Sequence, residues 1–283
     1  MTLAPVIDPN LSDADHRKAP ALSATSAKWI LRSPAHYRWN VDHPTSTSAF
    51  DLGHAAHAKI LGVGSEVVTV PEELCAKNGA WSTAAAKEFI EKAKAEGKTV
   101  LKPDDIAAVD GMAEAVLAHP IAGKLLSIPG APEVSLSADD PETGVRLKAR
   151  LDWLPDAKPG LRTIPVDLKT TSNASYDEFM RSIAKFGYHI QGAMCRRLIE
   201  LTRGDETAPF TLIAVETEPP YAVAVHDIPG AFAELGARQL RRAIDRYAEC
   251  LAINEWPAYP PVIHHAITPA WLEIAEDRQD DNE

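Results

Sequence analysis

The sequence predicts an α/β (α+β) fold in which a central mixed sheet, containing an antiparallel meander, is flanked by helices. Several short segments alternate apolar and polar residues or are continuously apolar, as half-buried and buried strands do. These segments are 133–137, 145–154, 164–170, 210–216 and 221–225. The first three follow one another with only turns between them, including Pro159-Gly160, so we expect them to be antiparallel neighbours. Extra helices are expected at the N-terminus.

Capping residues and helix breakers locate the helices. Ser23 lies at the start of the first helical pattern and is its expected N-cap, whereas Ser33-Pro34 ends or redirects that helix. Gly62 and Gly64 end the second helix. The predicted helices are 22–32, 47–61, 82–96, 103–119, 175–183, 188–202 and 232–253.

The length of 283 residues suits one large domain with a helical elaboration. We expect a loose lead-in over 1–20, a single domain over 21–275 and an acidic tail over 276–283. Within the domain, 21–130 would be the helical elaboration, 131–227 the core that carries the site, and 228–275 a C-terminal helix and packing segment.

Composition excludes several classes of protein. No apolar run is long enough for a membrane span, and the N-terminus lacks a secretion signal, so a cytoplasmic location is expected. The net charge of −11 argues against a protein that coats nucleic acid, although a local basic track could still guide a phosphate backbone. The three cysteines lie far apart, which excludes a C-x-x-C zinc site and a four-cysteine iron–sulfur cluster.

Asp167 and Lys169 stand on one face of the third strand, because side chains alternate along a strand with a period of two. If Pro159-Gly160 forms the centre of a type II turn, Asp152 lies opposite Asp167, with Cβ atoms about 5 Å apart. Two carboxylates at that distance repel each other unless a cation lies between them. The sequence therefore predicts a pair of carboxylates beside a lysine.

The helix at 47–61 adds a candidate imidazole. Gly53 and His57 are four residues apart and share a helix face, and the glycine lets another backbone approach closely. Carboxylates, a lysine and an imidazole suit a Mg²⁺ or Mn²⁺ site, where the ion polarises a phosphodiester and lowers the pKa of a bound water. A structural network of salt bridges is the competing interpretation of the same spacing.

These residues together resemble the PD-(D/E)XK nuclease superfamily, and within it the phage-type RecE-like exonucleases (exodeoxyribonuclease VIII, nuclease domain). The matching segments are 150–152, 167–171 and 186–191, a G-x-A-x-H helix at 53–57, an N-terminal helix at 22–39, and the segments 215–221 and 269–271. The resemblance covers about residues 20 to 275. It implies a restriction-endonuclease-like core.

The resemblance also implies roles for the matching residues. His57, Asp152 and Asp167 would bind Mg²⁺ or Mn²⁺, with the backbone carbonyl of Leu168 as a further ligand. Lys169 would position or activate the attacking water, which makes Lys169, Asp167 and Asp152 the catalytic set.

Five other positions match segments around this set. Glu133 matches an acidic position and would be a catalytic residue, as a second-metal or water-mediated ligand. Gln191 and Tyr188 would contact DNA or brace the site, and Arg150 and Thr170 would support the site or the DNA.

The resemblance implies a Mg²⁺-dependent exodeoxyribonuclease that degrades linear double-stranded DNA 5′ to 3′ and leaves 3′ single strands for recombination by annealing. Double-stranded DNA ends, a single-strand annealing protein and a ring of identical chains would be its partners. The alternatives are a CRISPR-associated RecB-like nuclease, a restriction or repair endonuclease, and a catalytically silent DNA-binding protein. Cys195 stands where RecB-type relatives often have the tyrosine of Q-x-x-x-Y, and this departs from the pattern.

Overall fold

The structure of the protein is a computed structural model that describes residues 3–43, 48–268 and 270, without the side chains of 48–51. Its strands are β1 (Val6–Asp8), β2 (Val67–Val68), β3 (Thr99–Val100), β4 (Gly130–Asp139), β5 (Arg146–Pro155), β6 (Val166–Thr171), β7 (Phe210–Glu216) and β8 (Val223–Ile228). Six strands form one sheet in the order β1-β4-β5-β6-β7-β8, and β2 pairs with β3. Within the large sheet β6 and β7 are parallel, and the other neighbours are antiparallel. The mixed sheet and its β4-β5-β6 meander confirm the predicted fold class.

Ten α-helices flank the sheet within the described residues. They are α1 (Asp13–Lys18), α2 (Ala24–Arg32), α3 (Pro34–Asp42), α4 (Ser48–Leu61), α5 (Ala84–Ala95), α6 (Pro103–Ala118), α7 (Ala122–Leu126), α8 (Tyr176–Phe186), α9 (Tyr188–Arg203) and α10 (Gly230–Ile253). The Ser23 side chain accepts the Ser26 amide at the start of α2, as predicted. The predicted start of the second helix at Thr47 lies outside the described residues. No helix in the described part of the chain is both long and apolar enough to cross a membrane.

Both faces of the sheet are buried. One core cluster, which includes Leu198 of α9, lies against one face, and a second cluster, which includes Met112 of α6, lies against the other. Leu212 of β7 belongs to the first cluster and Ile213 to the second, as the period of two requires. A strand that is buried on both faces is apolar throughout, which explains the continuous apolar run in β7.

The N-terminal segment differs from the expected loose lead-in. Val6–Asp8 pair with β4 as an edge strand, and the Ser12 side chain caps α1 by accepting the Asp15 amide. These elements are short and weakly patterned, and contacts distant in sequence stabilise them. Lys148, for example, donates three hydrogen bonds to backbone carbonyls of this segment.

The C-terminal segment packs on the body in part. Trp256 stacks on Tyr37 with ring centroids 5.2 Å apart, as a packing segment requires, whereas Tyr259 remains 62% exposed. Residues 271–275 of the predicted packing segment and the acidic tail 276–283 lie outside the described residues.

Candidate active site

The candidate site lies where the sheet divides between β5 and β6. These strands share one residue pair, Trp153 with Val166, and this pair confirms the register predicted from the turn. The turn itself closes with a hydrogen bond from the Leu161 amide to the Lys158 carbonyl, and Gly160 adopts φ 75°. Beyond this pair the strands diverge, which leaves room for side chains between them.

Asp152 occupies this division. Its Oδ2 accepts the backbone amide of Leu168 at 2.7 Å, so a side chain replaces a ladder bond between the strands. Burial, and then the negative charges of Asp167 and Glu133, raise the pKa of Asp152 well above its ordinary value, although Lys169 opposes them. The site therefore concentrates negative charge that a cation would stabilise.

Glu133 of β4 lies beside Asp152 and has an unusual backbone conformation. Its φ is 54°, a left-handed value that costs a non-glycine residue about 1–3 kcal/mol. The distortion is visible in the packing: Ala131 and Val134, three residues apart, contact the same core cluster, and so do Leu151 and Leu154. A regular strand would send such pairs to opposite faces. The backbone thus departs from regular geometry at Glu133 and Asp152.

His57 reaches the site from α4. Gly53 of the same helix faces β6: a Cβ placed on it would lie 3.4 Å from Thr170 Oγ1, an ordinary van der Waals contact, so the packing of α4 on β6 does not itself require glycine there. Nδ1 of His57 lies 3.4 Å from Asp152 Oδ2. Burial, and then the charge of Lys169, lower the pKa of His57 to about 3, despite a hydrogen bond to the backbone of Leu168. His57 is therefore neutral at pH 7, the state in which imidazole binds metals.

The donor atoms of His57, Glu133 and Asp152 all lie within 4.8 Å of one another. Two carboxylates and a neutral imidazole form a donor set suited to a hard or borderline divalent ion. The raised pKa of Asp152 supports this fit, because a divalent cation would relieve the repulsion between the carboxylates. These three residues would hold the ion.

Asp167 makes a different set of contacts. Its Oδ1 accepts Nε2 of Gln191 at 2.7 Å, and its Oδ2 forms an ion pair with Lys169 Nζ. The structure thus brings Glu133 into the cluster of His57 and Asp152, whereas both oxygens of Asp167 contact other side chains. A role for Asp167 or the Leu168 carbonyl as a metal ligand stays a prediction.

Lys169 is enclosed by these groups. Burial disfavours its charge, but Asp167 and Asp152 outweigh burial and raise the pKa of Lys169 above its ordinary value. Its Nζ also lies 4.8 Å from the centroid of the Tyr188 ring. Lys169 is therefore a cation that can donate hydrogen bonds but not accept a proton at neutral pH.

Arg150 contacts the site through Glu133. Its Nε forms an ion pair with Glu133 Oε2, and its Nη1 donates to the carbonyl of Leu11 and the hydroxyl of Ser135. Cys195 is buried on α9. Burial raises the pKa of its thiol, so it is inert rather than a substitute for a tyrosine hydroxyl.

Two cations near the site escaped the sequence analysis. Lys28 of α2 is close enough to Lys169 and Asp167 for their charges to shift its pKa, and burial together with Lys169 lowers that pKa. Arg17 of α1 contacts Nε2 of His54 at 3.2 Å, one helical turn from His57. Both lie far from the motif in sequence, and no local pattern distinguishes them from surface cations.

Comparison with known proteins places this fold in a defined class. Residues 23–263 match the family described as "PDDEXK-like domain of unknown function (DUF3799)". The chain belongs to this family. No curated protein matches the chain.

A solved structure supports the same fold. The chain resembles a crystal structure from Eubacterium rectale described as a "Putative exonuclease", with a TM-score of 0.55 and 12% sequence identity. The similarity covers 92% of this chain and 96% of that chain. At this identity it establishes the shared fold.

Proposed function

We propose that this protein is a metal-dependent deoxyribonuclease. One observation carries the proposal: the cluster of His57, Glu133 and Asp152 lies beside the ion pair of Lys169 with Asp167. A structural salt-bridge network would neutralise its charges, whereas Asp152 retains a raised pKa and faces a neutral histidine. Membership of a PDDEXK-like family supports the same conclusion.

The proposed chemistry assigns a task to each side chain. A bound Mg²⁺ or Mn²⁺ would polarise the phosphodiester and lower the pKa of an attacking water. Lys169, as a cation, would orient this water and stabilise the charge that develops on the phosphate. Asp167 positions Lys169, and Gln191 in turn holds Asp167.

The cations Lys28 and Arg17 are candidates to bind substrate phosphates. Lys28 donates to the Phe186 carbonyl, and no carboxylate lies within 4.0 Å of its Nζ in the described residues. Lys28, which has no such partner and lies beside a cluster of acids, suits a phosphodiester backbone, whereas Arg17 is already paired with Asp13 at 2.8 Å and would exchange that partner for a phosphate. These residues would supply a local basic track despite the net charge of −11.

We propose further that the enzyme is a RecE-like exonuclease that removes the 5′-terminated strand of linear double-stranded DNA. This polarity, the role in recombination, an annealing partner and a ring assembly follow from the resemblance of motifs. The name of the structural neighbour from Eubacterium rectale, which includes the word exonuclease, agrees with this class of activity.

Digestion of labelled DNA tests the proposal. Linear duplexes labelled separately at the 5′ and the 3′ ends, and a closed circular duplex, would be incubated with Mg²⁺ or with EDTA. We expect early release of the 5′ label, an intact circle and no release in EDTA. Cleavage of the circle would establish an endonuclease, and binding without cleavage would establish the silent alternative. Lys169→Ala is the control for contaminating nucleases.

A further inference from the structure

The N-terminal segment crosses the face of the sheet that leads to the candidate site. Residues 3–19, here called the strap, begin with β1 at the outer edge of β4. The chain then reaches the opposite edge of β5, where Leu22 forms a bridge with Leu147. The strap therefore passes over β4 and β5 from one edge to the other.

Three basic side chains of β5, spaced two residues apart, bind backbone carbonyls of the strap. Arg146 donates to Leu3 and Ala4, and Arg150 donates to Leu11 at 2.7 Å. Lys148, which is 7% exposed, donates to the carbonyls of His16, Arg17 and Ala19 at 2.7 to 2.9 Å. All three basic side chains on this face of β5 are thus hydrogen-bonded to the strap.

Apolar packing contributes little to this docking. No residue of α1 is buried, and Val6 and Ile7 of β1 are each 42% exposed. A cavity of about 170 Å³ separates part of the strap from the sheet and is lined by Val6, Leu11 and Lys148 among others. The attachment of the strap therefore depends on polar contacts, which are the pairing of β1 with β4 and the hydrogen bonds from β5.

Arg150 is the one of these three that also contacts the candidate metal ligands. It pairs with Oε2 of Glu133 while binding the strap carbonyl of Leu11 and the hydroxyl of Ser135. No described residue is hydrogen-bonded to Oε1, which leaves that oxygen available to an ion. The left-handed backbone of Glu133 requires such external support to persist.

We propose that Arg150 is a positioning residue through which the docked strap orients Glu133 for metal binding. When the strap is docked, Arg150 has its carbonyl and hydroxyl partners and presents its Nε to Glu133. When the strap is released, Arg150 loses the Leu11 carbonyl, and the orientation of Glu133 is no longer fixed. This inference rests on the proposed metal site.

Coulomb's law alone predicts the opposite effect, which makes the test decisive. Removing a cation next to a metal site should strengthen metal binding through electrostatics. Removing a positioning residue should weaken binding, and loss of a partner that orients a metal ligand typically costs about 10- to 100-fold in affinity.

The experiment is Mn²⁺ titration calorimetry on the full chain. We expect Arg150→Gln to weaken Mn²⁺ binding about 10- to 100-fold, and Arg150→Lys to restore part of the affinity. Lys148→Met, which contacts the strap and not the metal ligands, should weaken binding to a smaller extent and accelerate hydrogen exchange of α1. Arg203→Gln is the matched control, because Arg203, like Arg150, forms an ion pair with a carboxylate (Asp205) and donates a hydrogen bond to a backbone carbonyl (Pro155). The Mn²⁺ affinity of Arg203→Gln should equal that of wild type.

Unchanged or tighter Mn²⁺ binding by Arg150→Gln would overturn the positioning role. The proposed function would survive that result if wild type binds Mn²⁺ and Asp152→Asn does not. If wild type neither binds Mn²⁺ nor cleaves DNA, the proposed function fails and the positioning role fails with it. If the thermal transition shows that Arg150→Gln does not fold, Arg150→Lys and Lys148→Met replace it in the comparison with wild type. Unchanged Mn²⁺ affinity in both variants would then overturn the positioning role of Arg150.

Discussion

Replacing Asp152 by asparagine should stabilise the metal-free protein while abolishing metal binding. Asparagine keeps an oxygen that can accept the Leu168 amide, as Asp152 Oδ2 does at 2.7 Å. The substitution removes a buried negative charge that lies close to Asp167 and Glu133. The carboxylate thus contributes to function at a cost in stability, as expected for a site prepared to bind a cation.

The magnitude follows from proton linkage. Folding raises the pKa of Asp152 above its unfolded value near 3.8. The Asp152 carboxyl therefore lowers the free energy of unfolding progressively as pH rises from 3.8 towards the pKa of the folded state. Each unit of raised pKa corresponds to about 1.4 kcal/mol, and we expect a net gain from asparagine of about 1–2 kcal/mol at pH 7. The gain should vanish at acidic pH, where the wild-type carboxyl is protonated in both states.

Thermal unfolding measures this effect. In EDTA at pH 7, Asp152→Asn should unfold about 2–8 °C above wild type. In Mn²⁺ at 100 times its Kd, wild type should gain about 2.7 kcal/mol and the variant should gain nothing. A variant less stable than wild type in EDTA, or one that is stabilised by Mn²⁺ as much as wild type, would contradict the proposed role of the Asp152 carboxylate.

Three further predictions concern catalysis, metal dependence and stability. Lys169→Ala should abolish DNA cleavage and largely keep DNA binding, because the role proposed for Lys169 is to orient the attacking water and stabilise charge on the phosphate; a wild-type cleavage rate would contradict that role. EDTA should stop cleavage and Mg²⁺ or Mn²⁺ should restore it, so cleavage that resists chelation would exclude the metal mechanism. Asp140 is buried and forms ion pairs with Arg197 and Arg241. Asp140→Asn should therefore lower the free energy of unfolding by about 3–5 kcal/mol, as measured in urea. Burial opposes the charge of Asp140, but hydrogen bonds to these arginines outweigh burial and lower the pKa of Asp140. The stability that the Asp140 carboxylate contributes is therefore present above pH 3.8, the ordinary pKa, and is lost as pH falls below that value. Equal stability of wild type and Asp140→Asn at pH 7 would contradict this prediction.

The order of the elements and the register of the central hairpin could be predicted from the sequence. Alternation in β4, β5 and β6 gave strand positions to within three residues, and Pro159-Gly160 gave the pairing that places Asp152 near Asp167. These features depend on local periodicity and turn chemistry, which a single sequence records.

The detailed composition of the site depends on features that a single sequence does not record. The left-handed φ of Glu133 changes the local direction of β4, and no residue type signals it, since glutamate rarely adopts that conformation. Arg146, Lys148 and Arg150 alternate along β5 in the sequence, but the strap that covers them is short and has no comparable pattern. Its position depends on hydrogen bonds between residues more than 100 positions apart.

A crystal structure with Mn²⁺, interpreted through its anomalous difference density, would show directly whether His57, Glu133 and Asp152 bind a metal ion. We expect a peak within about 2.5 Å of a ring nitrogen of His57 and of carboxylate oxygens of Glu133 and Asp152. A peak coordinated by other residues, or the absence of a peak at these three side chains in protein that cleaves DNA, would contradict the proposed metal site.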